Sequence, residues 1–236
     1  MRKRLILFIF IIIALGIVVS NNQFEQKLKV DDKNVVTTIQ VPGPMNNNEN
    51  TLEYDIVETS PYLTKYFKSI SELNQDSDII IEGVVKNTKY ETYVHSIFTV
   101  SEIEISEVYK NDGNAVKGST ICVVEPGGIM DKEFIYNKYK EKFPDKYIDI
   151  NQIKPVKKIT DGVPALEKGD HVILFASKYT GGVKSENCYE PVGLYQGKFY
   201  IDGNTVEHKM PAPLKDKFEN KVKTKEELIN LIKKIK

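Results

Sequence analysis

The stretch DGVPALEKGDHVILFAS, residues 161–177, decides how the rest of the chain is read. Pro164, and then Gly169 followed by Asp170, mark a tight loop. The run from Val172 to Phe175 is continuously apolar, as expected of a buried strand. Side chains alternate along a strand, so His171, Ile173 and Phe175 share one face while Val172, Leu174 and Ala176 line the other. Asp170 and His171 therefore point apart in an extended chain and form no orienting carboxylate–imidazole pair. Asp170 is expected to cap its own turn, and His171 to sit half-exposed at a rim.

Further strands flank this one. IIIEGVV at 79–85 is β-branched and nearly free of polar residues, with Gly83 marking a bulge or bend. After KNTKYETY, the segment 94–109 alternates at Phe98 and Val100, then at Ile103 and Ile105 in the opposite phase, which predicts a bulge between them. STICVV at 119–124 ends at Pro126-Gly127-Gly128, and the pair 194–201 and 205–208 is joined by Asp202-Gly203-Asn204, a hairpin signal. Residues 131–160 read as an insertion: an amphipathic helix in DKEFIYNKYKEKF stopped by Pro144, then extended chain. Ser60-Pro61 predicts a helix start with Leu63, Phe67 and Ile70 in one stripe. At the other end Thr224 and Glu227 have the spacing of a capping box, ahead of a stripe of Leu228, Leu231, Ile232 and Ile235. The expected fold is mainly β with flanking helices: a small OB-like β-barrel over 60–236, with an N-terminal apolar helix and a C-terminal amphipathic helix.

The first residues carry an address. MRKR precedes the 15 apolar residues of LILFIFIIIALGIVV, and polar SNNQ ends the run. Cations stay on the cytoplasmic side, so the chain beyond is expected outside the membrane. Fifteen helical residues span about 22 Å, short of the roughly 30 Å hydrocarbon core. Two readings of residues 1–20 stand: a signal peptide cleaved after Ser20, giving a secreted protein, or a signal anchor. Residues 21–59, polar and Asn-rich around Pro42-Gly43-Pro44, read as a tether. The two cysteines, Cys122 and Cys188, either pair as a disulfide in an oxidising exterior or remain buried thiols.

The order SDIIIEGVV, VYK, ICVVEPGG, VPALEKGDHVILF and GLYQGKFYI resembles a loose group of uncharacterised exported bacterial proteins, over about residues 70–201. The strand plan is similar to the OB-type barrel of the netrin and tissue-inhibitor-of-metalloprotease modules. The resemblance implies a fold and an exported location and carries no activity. Those inhibitors reach a metal through an N-terminal cysteine, and no cysteine precedes Cys122 in this chain.

Chemistry is sparsely marked. Nucleophile elbows, HExxH helices, P-loops and EF-hand loops are all missing from the sequence, and nothing calls for a cofactor or metal. His95, His171 and His208 fall on different strand edges, and Glu102, Glu104 and Glu107 on an outward face among lysines. With 33 basic and 33 acidic residues interleaved, no basic face favours nucleic acid. Tyr136, Tyr139, Tyr147 and Tyr179 lie in loops or the insertion, where tyrosine suits recognition. The sequence thus points to a non-enzymatic binding module meeting an envelope protein, peptide or glycan. Two alternatives stand beside it: an exported hydrolase built around His171, and a structural subunit docking by the C-terminal helix.

Overall fold

The structure, a computed structural model, describes residues 54–235 except 62, 64, 95 and 184–186. The apolar run 5–19, most of the expected tether and His95 lie outside the described residues. Among the described residues, no helix is long and apolar enough to cross a membrane.

The described chain is mainly β, with two sheets and a few helices. Strands β2 (Ile79–Tyr93) and β3 (Ser96–Lys110) form one long hairpin turning at Val94. The segment KNTKYETY is thus strand rather than connection; its alternating polar residues are the exposed outer half of β2. The pairing slips between Ile80 and Ile81, Glu82 and Gly83, and Val85 and Asn87. The bulge expected in β3 is displaced across the ladder: the extra residue is Lys86 of β2, opposite Ile103 and Glu102. In β3 itself Thr99, Ser101, Ile103 and Ile105 keep one buried phase, and Val100 is buried on the other face. Gly83 permits the close approach there, since a Cβ would lie 2.5 Å from the Glu104 carbonyl oxygen.

Strands β4 (Thr120–Pro126), β7 (His171–Lys178), β8 (Cys188–Pro191), β9 (Lys198–Asp202) and β10 (Thr205–His208) complete a seven-stranded sheet, ordered β10-β9-β7-β2-β3-β4-β8. The small barrel expected from the sequence is corrected here: this sheet curls but does not close into a barrel. Strand β7 branches. One side pairs with β2 over His171–Ala176, while the other gives Val172–Leu174 to β9 and Ala176–Lys178 to β8. Strand β10 is left at an edge, touched beyond β9 by a bridge between Thr205 and Thr224. The β9–β10 turn has Gly203 at φ +58, the left-handed conformation its Asp-Gly-Asn signal required.

A second sheet, β1-β6-β5, joins β1 (Asp55–Thr59), β6 (Val156–Thr160) and β5 (Gly128–Met130). Strand β1 runs parallel to β6, so the last residues assigned to the tether are sheet. The insertion contains helix α2 (Lys132–Lys142), N-capped by Asp131 and ended before Pro144, and a 3-10 turn at Ile150–Gln152.

The faces of β7 divide the core as their alternation predicts. Val172, Leu174 and Ala176 pack inside the curl with Ile79, Ile81, Ile103 and Val123. Ile173 and Phe175 pack outside it against helices α1 (Ile70–Asp76) and α4 (Lys225–Lys234), through Ile70, Leu73, Leu228 and Ile232. Helix α1 starts nine residues later than Ser60-Pro61 suggested. Ser69 is its cap, accepting from the Glu72 N–H, while Glu72 accepts from the Lys68 N–H, so both exposed donors find partners at Ser69 rather than Ser60. A short helix α3 (Ala212–Lys217) precedes α4, whose capping box at Thr224 and Glu227 is formed.

Cys122 and Cys188 face each other in the parallel β4–β8 pairing, Cα atoms 4.6 Å apart, and are bonded as a disulfide. Their 66-residue separation gives a chain-entropy stabilisation of about 4 kcal/mol. Cys122→Ser is expected to lower the unfolding free energy by about that amount in denaturant titration. Alkylation without reductant should label neither thiol; two labels would contradict the pairing.

Candidate functional site

The opening loop is fastened before His171 is reached. Asp170 accepts from the Glu167 N–H at 2.8 Å and donates its own N–H to the Glu167 carbonyl, closing the turn as its residue type suggested. The loop then docks on β2: the Val85 N–H bonds the Asp170 carbonyl, and the Gly169 N–H bonds the Val85 carbonyl, each at 2.9 Å. His171 points the other way, as expected, and is a third exposed. It is not without a partner. Its Nε2 lies 2.8 Å from Oε1 of Glu82, whose side chain is only 4% exposed.

Glu82 is the hub of a cluster that the sequence reading missed. Lys225 Nζ, from the first turn of α4, reaches Oε1 at 2.5 Å, and the Tyr109 hydroxyl donates to Oε2 at 2.8 Å. Burial pushes the Glu82 carboxyl up, but the hydrogen bonds from Lys225, Tyr109 and His171 together outweigh it and hold the group below its usual range. Burial and the Glu82 carboxylate push the Tyr109 hydroxyl up. The one legible signal was a lone acid inside the apolar run IIIEGVV. The arrangement braces β2, β3, β7 and α4 against one another. A surface cavity of about 610 Å³ reaches Tyr109, but Glu82 and His171 do not line it.

A second buried acid holds the loop itself. Glu125, at the end of β4, and Lys198, at the start of β9, form an ion pair at 2.5 Å with side chains 4% and 2% exposed. Glu125 also accepts from the Leu166 N–H at 3.0 Å, and Lys198 donates to the Pro164 carbonyl at 2.9 Å. The loop thus supplies a donor to the acid and an acceptor to the base. Near this pair Tyr200 is buried with no partner for its hydroxyl among the described residues, and on β3 the Ser101 hydroxyl is likewise buried and unpaired among them.

The remaining candidates stay apart. His208 is buried, stacked on Phe199 at 4.0 Å, and its Nε2 donates to the Gln196 carbonyl at 2.7 Å. Burial, aided by Lys215 and Lys221, lowers its pKa to about 4 against the pull of that bond. His171 and His208 therefore serve different contacts, and among the described residues no group of three or more His, Cys, Asp and Glu is placed to hold a metal. Glu104 pairs with Lys86 and Glu107 with Lys117 on the exposed face, and Glu102 is exposed there too. Of the tyrosines, Tyr179 accepts from the Val183 N–H and packs beside the disulfide. Tyr136 and Tyr139 are half-buried on α2, and Tyr147 is 89% exposed. Compared with known proteins, the chain matches no protein-family model and no curated protein.

Because Glu82 titrates lower when folded, its contribution is present above about pH 4.5 and is lost as pH falls through the lower folded value. Glu82→Gln should cost about 2 kcal/mol near neutrality, by removing the charge that Lys225, Tyr109 and His171 hydrogen-bond, and should flatten the acid limb of a stability–pH curve. His208 also titrates lower when folded, so its contribution is present above about pH 6.5 and is lost as pH falls toward 4. The loss is on the order of 3 kcal/mol, and His208→Gln should remove that slope from melts taken across pH 4–7.

Proposed function

We propose that this chain is an exported cell-envelope protein whose β-rich domain is a non-enzymatic binding module presented outside the membrane. The observation that carries the reading is α2: the helix bears Phe134, Ile135, Tyr136 and Tyr139 and buries none of its residues. Phe134, Ile135, Tyr136 and Tyr139 are each left half-buried on this helix, and tyrosine gives large contact area at low entropic cost. The partner is an envelope protein, peptide or glycan; the balanced charge disfavours nucleic acid.

Export is supported by MRKR ahead of the apolar run 5–19, which makes that segment the membrane contact, as an anchor or as a leader cleaved after Ser20. The Cys122–Cys188 disulfide agrees, since such bonds persist in oxidising compartments. The likeness to exported bacterial proteins rests on the text SDIIIEGVV, ICVVEPGG, VPALEKGDHVILF and GLYQGKFYI over about residues 70–201. The hydrolase reading draws on the 2.8 Å contact of His171 with Glu82, but Glu82 is already occupied by Lys225 and Tyr109. Docking by α4 is disfavoured because its apolar stripe packs on its own domain.

Cross-linking capture from the intact envelope tests the proposal. Tyr136→Ala with Tyr139→Ala should lower recovery of the captured partner roughly tenfold, the scale of losing a hot spot. His171→Asn should leave recovery unchanged. Equal recovery from the tyrosine variant would sink the claim that α2 is the contact surface.

A further inference from the structure

A groove of about 510 Å³, built from other elements than α2, lies between the segment ahead of α1 and the chain leaving β8. Its lining is largely apolar, from Pro61, Leu63, Phe67, Val192 and Leu194, with Glu190 among them. Glu190 is half-buried on β8, opposite Ser177 in the ladder. Its carboxyl has no hydrogen bond or ion pair among the described residues, and burial alone pushes its pKa up. The lysine lining the groove, Lys65, is already engaged by Asp76 at 2.5 Å. An acid held in apolar surroundings without a counter-charge is a standing cost to the fold, and a cation brought by a ligand removes it.

The groove wall is also strained and rigid. Leu194 sits at φ +62, a left-handed conformation that a branched, bulky residue rarely adopts. The turn that holds it is closed by the Leu194 N–H to the Pro191 carbonyl and the Gly197 N–H to the Val192 carbonyl. Gln196 locks it from beneath, accepting from the Phe67 N–H at 3.0 Å and donating to the Gly193 carbonyl. Strain of this kind survives where the surroundings impose it, and it gathers at binding sites. We propose that the groove binds the side chain of a lysine or arginine carried between apolar residues of an extended peptide. Glu190 takes the cationic head, and the apolar walls take the aliphatic stem and the flanking residues.

The test is calorimetric titration of the full chain with acetyl-Val-Lys-Val-amide and with the same peptide carrying norleucine for lysine. The lysine peptide is expected to bind saturably and at least about tenfold more tightly than its neutral analogue, as one relieved buried charge allows. Glu190→Gln should abolish the difference without lowering the melting midpoint, because Glu190 holds nothing in the fold. Leu194→Gly should keep or raise the midpoint, by releasing strain, while weakening the lysine peptide about tenfold. No binding, equal binding of both peptides, or unchanged binding by either variant overturns the proposal. So does a concentration-dependent dimer abolished by Glu190→Gln with no peptide binding, which would assign the groove to a second copy. Capture through α2 is measured separately, so the two surfaces succeed or fail independently.

Discussion

The fold depends on one buried ion pair. Taking Glu125 and Lys198 out of water is costly, and their mutual attraction offsets that only if the remaining hydrogen-bonding capacity of each group is used. The chain between β6 and β7 supplies the missing partners, the Leu166 N–H for the acid and the Pro164 carbonyl for the base. The pair therefore joins β4 and β9 while dictating where the loop runs between them. That placement sets the start of β7. A shift of one residue in β7 would exchange its faces, sending Ile173 and Phe175 into the curl and Val172 and Leu174 toward the helices. Replacing only one of the two charges leaves the other stranded, which for buried pairs costs about 3–5 kcal/mol.

Strand β7 carries the consequence, because both cores are built on it. Its inward residues fill the curl of the sheet, and its outward residues receive α1 and α4. It also serves two neighbours along one side, β9 and then β8. The ladder between β8 and β4 is short among the described residues, Cys122 with Cys188 and Val123 with Tyr189. Main-chain pairing over so short a length contributes little, so the disulfide at that position supplies the constraint that hydrogen bonds do not. Glu82 plays the matching role on the outer face, tying α4 to the strands by Lys225.

What could be read from the sequence was local. The alternating faces of β7, the turn closed by Asp170, the Asp-Gly-Asn hairpin, the stop of α2 before Pro144 and the capping box at Thr224 each follow from residues within a few positions of one another. The Glu82 cluster does not, since its partners lie 27, 89 and 143 residues away. Nothing in IIIEGVV says which distant donors will arrive, only that an acid there needs some. The parallel pairing of β1 with β6 was hidden for the same reason: DIVET is too short and too exposed to announce a strand without its partner. The start of α1 was misplaced because Ser60-Pro61 and Ser69 both offer a capping hydroxyl. Tertiary contacts chose Ser69, where the Ile70 N–H meets Asn220 and the Phe67 N–H meets Gln196. The extension of β2 was missed because polar alternation on an exposed strand looks like a loop.

The carboxylates of this molecule divide by what they hold, and that division separates structure from recognition better than residue type does. Glu125 and Glu82 are deeply buried, and each is matched by a lysine and further donors. Asp112, near the disulfide, is engaged by Asn114, Lys178 and Tyr189, and these hydrogen bonds outweigh burial and hold its carboxyl below the usual range. Such groups have little left to offer a ligand. Glu190 is the contrasting case: partly withdrawn from water, lined by apolar groups, and among the described residues without a bond that the fold would lose if it were neutral. His171 fits the first class and not the second, despite the catalytic suggestion of its neighbour Asp170. Its ring helps to satisfy Glu82, the acid beneath it.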